Sequence, residues 1–301
     1  MNQLPLLVTF VVYLIGILAL GLRAYGQTED LSDYLLGGRR LGSVVTALSV
    51  GASDMSGWLL LGLPGAVYLS GLQESWIGIG LIVGAYLNWL LVARRLRVFS
   101  FHASNSLTLP DYLENRFGDS TRKLRLLSAA VILLFFTFYT ASGLVSGAIL
   151  FESSFGLSYS AALIIGAVVI VSYTFVGGFL AVAWTDAIQA ALMAAALMMT
   201  PIAVFTTLGG AGEVAAQVAE INPQALDLFG DLSALGLLSL VAWGLGYAGQ
   251  PHILTRFMAI QDPAQLVSAR RLAMSWMVLM LVGSVVTGFA GLAYFAANPL
   301  E

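Results

Sequence analysis

The segment Gly51-Ala-Ser-Asp54-Met-Ser-Gly57-Trp58 lies in the middle of an apolar run over residues 44–72, in which Asp54 is the single charged residue. The run is longer than the about 20 residues that a helix needs to cross a bilayer. Its centre is nevertheless a poor helix. Glycine costs about 1 kcal/mol relative to alanine, serine competes for backbone hydrogen bonds, and aspartate at mid-membrane costs roughly 2.5–3.5 kcal/mol. We therefore predict a membrane helix that is interrupted within this segment.

An interruption here would create binding groups for both signs of charge. Carbonyls near Ala52 and Met55 would be released from the helix and could coordinate a cation. A second half-helix that begins near Gly57 would present its N–H groups and positive dipole end to a carboxylate. Asp54 is a candidate functional residue, because ionisable side chains inside membrane spans usually are. The alternative is that the small residues allow close helix packing and Asp54 pairs with a neighbour.

The composition indicates a membrane protein. Of 301 residues, 59% are hydrophobic and 10% are charged, which is far more apolar than a soluble domain. The absence of cysteine excludes a disulfide framework, a thiolate nucleophile and a Cys-bound metal. A net charge of -3 gives no basic balance suited to nucleic acid. The two His lack metal-ligand spacing, and no hydrolase motif is present, so we expect neither a cofactor nor an enzyme.

Eight apolar runs of about membrane-spanning length follow one another along the chain. They cover residues 4–22, 44–72, 76–92, 126–150, 161–179, 188–208, 234–258 and 272–296. All 13 Lys and Arg lie after the first run, after the third, or in and after the seventh, whereas the opposite loops carry acidic residues. Because Lys and Arg accumulate in cytoplasmic loops, we predict an all-α integral membrane protein with about eight transmembrane helices and its N-terminus outside. Thr108 and Pro110 predict a short interfacial helix within residues 105–117, with a polar connector as the alternative.

A second interruption is predicted at Trp243-Gly-Leu-Gly-Tyr247-Ala-Gly-Gln-Pro251, where glycines weaken the helix and Pro251 could begin a new one. If a repeat contains five helices, the second and seventh runs open two repeats of opposite orientation, and paired interruptions at such positions indicate a binding site at the bilayer midplane. We predict a single membrane domain. Residues 1–43 form an extra N-terminal helix and inner loop, residues 44–208 the first inverted repeat, and residues 234–301 the start of the second.

Aromatic residues lie beside both interruptions. Trp58 follows the first, Trp243 and Tyr247 belong to the second, and Tyr139 lies near the middle of the fourth run. Their clustering makes them candidate walls of a pocket, although each could instead fill a helix contact or an interfacial belt.

Five motifs resemble the sodium:solute symporter family and are spread over nearly the whole chain. They are Tyr34-Leu-Leu-Gly-Gly-Arg39, the segment from Gly51 to Gly65, Leu107-Thr-Leu-Pro-Asp-Tyr112, Gly177-Gly-Phe-Leu-Ala-Val-Ala-Trp-Thr-Asp186 and the segment from Trp243 to Phe257. The resemblance implies a LeuT-like five-plus-five inverted-repeat fold with one extra N-terminal helix. It also implies sodium-coupled uptake of L-proline by alternating access, in the inner membrane of a bacterium.

The resemblance assigns roles to individual residues. Ala52 and Met55 resemble carbonyl donors to sodium, and Asp54 resembles a residue required for sodium coupling. Arg39 and Asp186 resemble inner-side residues that influence sodium access or coupling, although Asp186 could equally be a helix cap or boundary charge. The residues that resemble a proline pocket are Ser56, Gly57, Trp58, Tyr139, Trp243, Tyr247 and Pro251.

The sequence ends just beyond the eighth run, so the inverted-repeat fold would be incomplete. We expect a truncated chain or one piece of a split gene product, with the C-terminal half as a possible partner beside proline, sodium and the lipid bilayer. The alternative function is a membrane-embedded solute sensor or interaction module built on the same bundle. Physical reasoning leaves open both proline against other small amino acids and sodium against proton coupling.

Overall fold

The computed structural model of the protein describes residues 4–298, and the regular elements in this range are helical. Helix α1 is Leu4–Tyr25. The short helix α2, Leu31–Leu36, begins where the side chain of Asp30 accepts a hydrogen bond from the Asp33 N–H. Gly37 then adopts the left-handed conformation that ends many helices, and the 3-10 turn Gly37–Arg39 follows.

The second apolar run is interrupted, as the sequence predicts. Helix α3 is Ser43–Gly57, and Ser56 leaves the helical region with φ 47° and ψ -158°. A wide π-type turn, Trp58–Gly62, leads into helix α4, Leu63–Ser70. The predicted interruption is therefore confirmed, with Ser56 as the non-helical residue.

The next stretch is longer than the apolar run that predicts it. It comprises the 3-10 turn Leu72–Glu74, helix α5 at Ser75–Asn88, the π-type turn Trp89–Ala93 and helix α6 at Arg94–His102. The short helix predicted within residues 105–117 is confirmed as α7, Leu109–Phe117, where the Thr108 hydroxyl accepts from the Asp111 N–H; its interfacial position stays a prediction. Thr108 is thus a side-chain N-cap, which satisfies one of the donors that a helix start leaves open.

Two long helices follow. Helix α8 is Lys123–Phe155 and helix α9 is Tyr159–Thr207. The fifth and sixth apolar runs both fall within α9, which departs from helical geometry at Gly178 with φ 59° and ψ -155°. A side chain at Gly178 would also meet Tyr34, whose ring and carbonyl lie 2.9 Å from the position of a Cβ. Glycine is therefore required at this bend for conformation and for space.

The second predicted interruption is also confirmed. Helix α10, Ala211–Ile221, and the 3-10 turn Pro223–Leu226 precede it. Helix α11, Ala234–Ala242, passes into the 3-10 segment Trp243–Gly249, and Pro251 begins helix α12, Pro251–Ala259. The 3-10 turn Pro263–Gln265 leads into the last helix, α13, Leu266–Ala297.

Six helical stretches among residues 4–298 are long and apolar enough to cross a membrane, against eight runs predicted from the sequence. They are Leu4–Tyr25, Ser43–Ser70, Leu72–His102, Lys123–Phe155, Tyr159–Thr207 and Pro263–Ala297. The number is lower because α9 contains two of the predicted runs and because the interruption leaves Ala234–Gly249 as a shorter apolar helix. The protein is a multi-pass membrane protein.

The described residues fall into two compact units. The first contains residues 4–50, 93–188 and 251–266, and the second contains residues 51–92, 189–250 and 267–298. Helix α10 belongs to the second unit, where Val214 and Val218 are fully buried against Ala290 and Ala293 of α13. This apolar contact explains why a segment that the sequence suggests to be an acidic loop is an ordered helix.

Candidate functional site

The interruption at Ser56 gives α3 a distinctive end in the second unit. The Ser56 hydroxyl accepts a hydrogen bond from the Trp58 N–H at 3.4 Å, so Ser56 caps the arm that begins at Gly57. Ala52 and Met55 are both buried in the turn before the break. The non-helical backbone of Ser56 therefore lies directly after the turn whose carbonyls are the predicted cation ligands.

The two interrupted segments are joined by a hydrogen bond within the second unit. The Tyr247 hydroxyl donates to Oδ2 of Asp54 at 2.6 Å. Tyr247 is 4% exposed and belongs to the 3-10 segment, whereas Asp54 lies two residues before the break in α3. A membrane carboxylate predicted from one interruption is therefore held by an aromatic residue predicted from the other.

Two tryptophans, each four residues from a partner of this hydrogen bond, have their rings in contact. The ring centroids of Trp58 and Trp243 are 5.7 Å apart, with the planes tilted by 31°. Trp243 is 52% exposed, so its ring retains surface that a ligand could cover. Four predicted site residues, Asp54, Trp58, Trp243 and Tyr247, are thus brought together as two contacting pairs of the second unit.

Helix α5 packs closely against the second interruption. A Cβ added at Gly84 would overlap the main chain of Gly244, and one at Gly80 would overlap the main chain of Val241. The amide nitrogen of Asn88 donates to the Tyr247 carbonyl at 3.1 Å. Asn88 is absent from the sequence-based set, and the i, i+4, i+8 spacing of Gly80, Gly84 and Asn88 is the signal that could have identified it.

Two predicted pocket residues belong to the first unit. The Tyr139 ring stacks on the His252 ring at a centroid distance of 5.2 Å and an angle of 27°, and Pro251 begins α12 immediately before that histidine. Tyr139 is 39% exposed. The structure therefore places Tyr139 and Pro251 beside a common residue, His252, which is absent from the predicted site residues.

Asp186 forms a buried ion pair in the first unit. Arg256 donates through Nη2 to Asp186 Oδ2 at 2.5 Å, and the Ser49 hydroxyl donates to the same oxygen at 2.7 Å. Arg256 also donates through Nε to Ser49 Oγ at 2.5 Å. Asp186 lies within α9 and not at its start, so it is not a helix cap, and the choice between a coupling residue and a boundary charge stays open.

Arg39 lies in the first unit and binds main-chain and side-chain acceptors from two other segments. Its guanidinium donates to the Met258 carbonyl at 2.6 Å, to the Ser106 carbonyl at 2.8 Å and to Asn105 Oδ1 at 3.1 Å. Burial, and then the positive charge of Arg97, lower the pKa of Arg39 to about 10, so the group stays charged at neutral pH. Arg39 thus connects the loop after α2 to the end of α12.

An all-helical membrane protein with two interrupted segments that meet at an intramembrane carboxylate has the construction of a secondary transporter. The family model of the sodium:solute symporter family matches residues 34–301, and the chain belongs to that family.

Relatives in this family have names that describe transporters. The chain is 56% identical over 299 residues to a sodium/proline symporter of Haemophilus influenzae, and 55% identical over 295 residues to a sodium/proline symporter of Escherichia coli. It is 54% identical over 278 residues to the high-affinity proline transporter PutP of Bacillus subtilis. These matches cover 98%, 98% and 92% of this chain and 59% of each relative. The chain therefore spans less than two thirds of the length of these relatives.

The fold is shared with a solved symporter structure. A Na+-coupled sialic acid symporter in a substrate-bound outward-open state matches with a TM-score of 0.82 and 18% identity, over 96% of this chain and 61% of that chain. At this level of identity the match confirms the all-helical membrane fold.

Proposed function

We propose that the protein takes up L-proline together with sodium by alternating access. The observation that carries this proposal is the hydrogen bond between Tyr247 and Asp54, because it joins two interrupted helices at a carboxylate, as expected of a coupled transport site. The names of the relatives at 54–56% identity support proline as the substrate and sodium as the coupling ion.

Sodium would bind at the break in α3. Hard cations prefer oxygen ligands, and the carbonyls of Ala52 and Met55 belong to the turn that ends at the non-helical residue Ser56. Asp54 would supply the negative charge that links sodium binding to the position of Tyr247. The resemblance to the family assigns sodium coupling to these same three residues.

Proline would use the groups that follow the break. The arm that begins at Gly57 offers backbone N–H groups and a positive dipole end to the carboxylate, and Ser56 lies at its start. Apolar contact with the pyrrolidine ring would come from Trp58, Trp243 and Tyr247 of the second unit. For Tyr139 and Pro251 of the first unit we keep the proline-binding role that the family resemblance implies.

Arg39 and Asp186 would act at the inner side of the membrane. Asp186 is held by Arg256 and Ser49, and Arg39 donates to the Met258 carbonyl near the end of α12. Both networks tie α12, the helix that begins at Pro251, to other elements of the first unit. A change in the position of α12 would therefore alter the hydrogen bonds of both Arg39 and Asp186, which supports a role of these two residues in sodium access or coupling.

We also propose eight membrane crossings with the LeuT-like inverted-repeat arrangement. Helix α9 has 49 residues, which corresponds to roughly 74 Å at 1.5 Å per residue, whereas the hydrocarbon core is about 30 Å thick. The bend at Gly178 divides it into two arms of suitable length. With α11 and α12 as a further interrupted crossing, residues 44–208 form the first repeat, residues 234–301 open the second, and the N-terminus faces outward from a bacterial inner membrane.

Uptake of labelled proline into proteoliposomes tests the proposal. The gene product that carries residues 1–301 is reconstituted, and uptake is measured with an inward sodium gradient, with equal sodium on both sides, and with potassium in place of sodium. We expect accumulation only with the inward sodium gradient. Proline uptake that is indifferent to sodium would contradict sodium coupling, and sodium-driven uptake of other small amino acids in preference to proline would contradict the substrate.

A further inference from the structure

Asn88 is a buried amide whose hydrogen-bonding capacity is only partly used. It is the last residue of α5, is 4% exposed, and precedes the π-type turn Trp89–Ala93. Its Nδ2 donates to the Tyr247 carbonyl at 3.1 Å. Among the described residues, no hydrogen-bond partner of the buried Oδ1 is found.

Fold stability alone does not explain an asparagine at this position. A buried amide oxygen without a partner is destabilising, and an apolar residue of the same size would avoid that cost. The Tyr247 carbonyl does not depend on Asn88 either, because it also accepts a hydrogen bond from the Gln250 N–H at 3.3 Å. What Asn88 adds is a directional link from α5 to one residue of the 3-10 segment.

That link continues to the carboxylate. Tyr247 receives the Asn88 amide at its carbonyl and donates its hydroxyl to Asp54 Oδ2 at 2.6 Å. On the same face of α5, Gly80 and Gly84 allow the main chain of the 3-10 segment to approach closely. Asn88 is the polar end of this contact, and π-type turns such as the one that follows it often occur at functional sites.

We propose that Asn88 is a positioning residue that sets the affinity for sodium by fixing Tyr247, and through it the Asp54 carboxylate. This inference rests on the proposed sodium-coupled function. Without the amide, the 3-10 segment can shift along α5, and the Tyr247 hydroxyl no longer holds Asp54 in one orientation. The expected effect is a higher sodium requirement rather than a loss of folded protein.

Three variants test the proposal in the reconstituted gene product. Asn88→Leu keeps the size and removes the link, Tyr247→Phe removes the hydroxyl that reaches Asp54, and the third variant carries both changes. Thr287→Val is the matched control. It also removes a partly buried hydrogen bond in the second unit, the one of 2.7 Å from the Thr287 hydroxyl to the Gly283 carbonyl, but that bond lies within helix α13 and links no second element. The half-saturating sodium concentration for proline uptake and the thermal midpoint in detergent are measured for each.

We expect Asn88→Leu to raise the half-saturating sodium concentration about fivefold or more. Its thermal midpoint should be no lower than that of Thr287→Val. Because both changes act on the same link, the double variant should require no more sodium than the more affected single variant. An unchanged sodium requirement in Asn88→Leu, with or without a drop in thermal midpoint, would show that the amide is purely structural and would overturn the inference. Multiplicative effects in the double variant would overturn the route through Tyr247. If the unaltered protein shows no sodium response, the proposed function fails as well, and the inference with it.

Discussion

Asp54 and Asp186 are acidic residues of membrane helices whose observed partners differ in charge. Asp186 faces the guanidinium of Arg256, so the pair is neutral overall. Asp54 accepts from the uncharged hydroxyl of Tyr247, so that pair carries a negative charge whenever Asp54 is ionised. The Tyr247 hydroxyl thus holds Asp54 without adding a charge, whereas Arg256 neutralises Asp186, which suits a structural or coupling role inside a helix bundle.

Removal of the Asp54 charge provides the first prediction. We expect Asp54→Asn to preserve the hydrogen bond from Tyr247, because an amide oxygen also accepts, and to raise the half-saturating sodium concentration for proline uptake at least about tenfold, which corresponds to about 1.4 kcal/mol. Sodium titration of uptake in proteoliposomes measures it. Asp231→Asn, a change of an exposed carboxylate in the loop before α11, serves as the control and should leave the sodium dependence unaltered. Normal sodium dependence in Asp54→Asn would remove Asp54 from the mechanism.

The buried ion pair provides the second prediction. Arg256→Gln leaves the Asp186 carboxylate without its cation in a buried site, which costs about 3–5 kcal/mol when a partner of such a pair is removed. We expect a comparable decrease in the free energy of unfolding, measured by chemical denaturation in detergent. The double variant Asp186→Asn with Arg256→Gln removes both charges and should recover a large part of that loss. A double variant less stable than Arg256→Gln alone would show that the charges do not compensate each other.

At the scale of structural elements, the packing of the two interrupted helices depends on small residues as well as on residues that form hydrogen bonds. Ser56 provides the break in α3, and Pro251 begins α12. Gly80 and Gly84 allow α5 to lie against the 3-10 segment Trp243–Gly249, which precedes α12. Small residues at such contacts let backbones approach closely in a membrane, where apolar burial drives association only weakly.

The close contact of α5 provides the third prediction. A methyl group at Gly84 would overlap the Gly244 main chain, which cannot rotate away as a side chain can. We expect Gly84→Ala to lower the free energy of unfolding by about 1–3 kcal/mol through overpacking. Gly147→Ala in α8 is the matched control, because no atom lies within 4 Å of its Cβ position, and improved helix propensity should make it neutral or stabilising by up to about 1 kcal/mol. Equal stability of the two variants would contradict the packing described here.

The interruptions could be predicted from the sequence because they depend on local chemistry. Gly, Ser and Pro change backbone preferences at their own positions, so both breaks were identified to within the segments where they occur. The extent of α9 could not be predicted in this way. The gap between the fifth and sixth apolar runs, residues 180–187, predicts two separate helices, but Asp186 lies inside helix α9, which spans this gap, and pairs with Arg256, 70 residues later in the chain. Asn88 could not be predicted as a site residue for the same reason, because its hydrogen-bond partner Tyr247 is 159 residues away in the chain.

For the whole molecule, the arrangement of charged residues and the length of α9 lead to the same topology. Every Lys and Arg belongs to the segments assigned to the inner side, and the loop that contains α10 carries acidic residues. In the proposed topology, this segregation is kept only if residues 159–207 cross the membrane twice. A single crossing would place residues before and after α9 on opposite sides and would bring the acidic loop to the side of the arginines, against the usual distribution of charge.

The absence of cysteine allows the fourth prediction, which tests this topology. Single cysteines are introduced at Glu152, Ala216 and Lys123, three exposed positions located before α9, after α9 and at the start of α8. Intact cells are treated with a membrane-impermeant maleimide, and a parallel sample is permeabilised first. If α9 crosses twice, E152C and A216C react in intact cells, whereas K123C reacts only after permeabilisation. Reaction of E152C without A216C in intact cells would show that α9 crosses once, and reaction of K123C alone would invert the orientation.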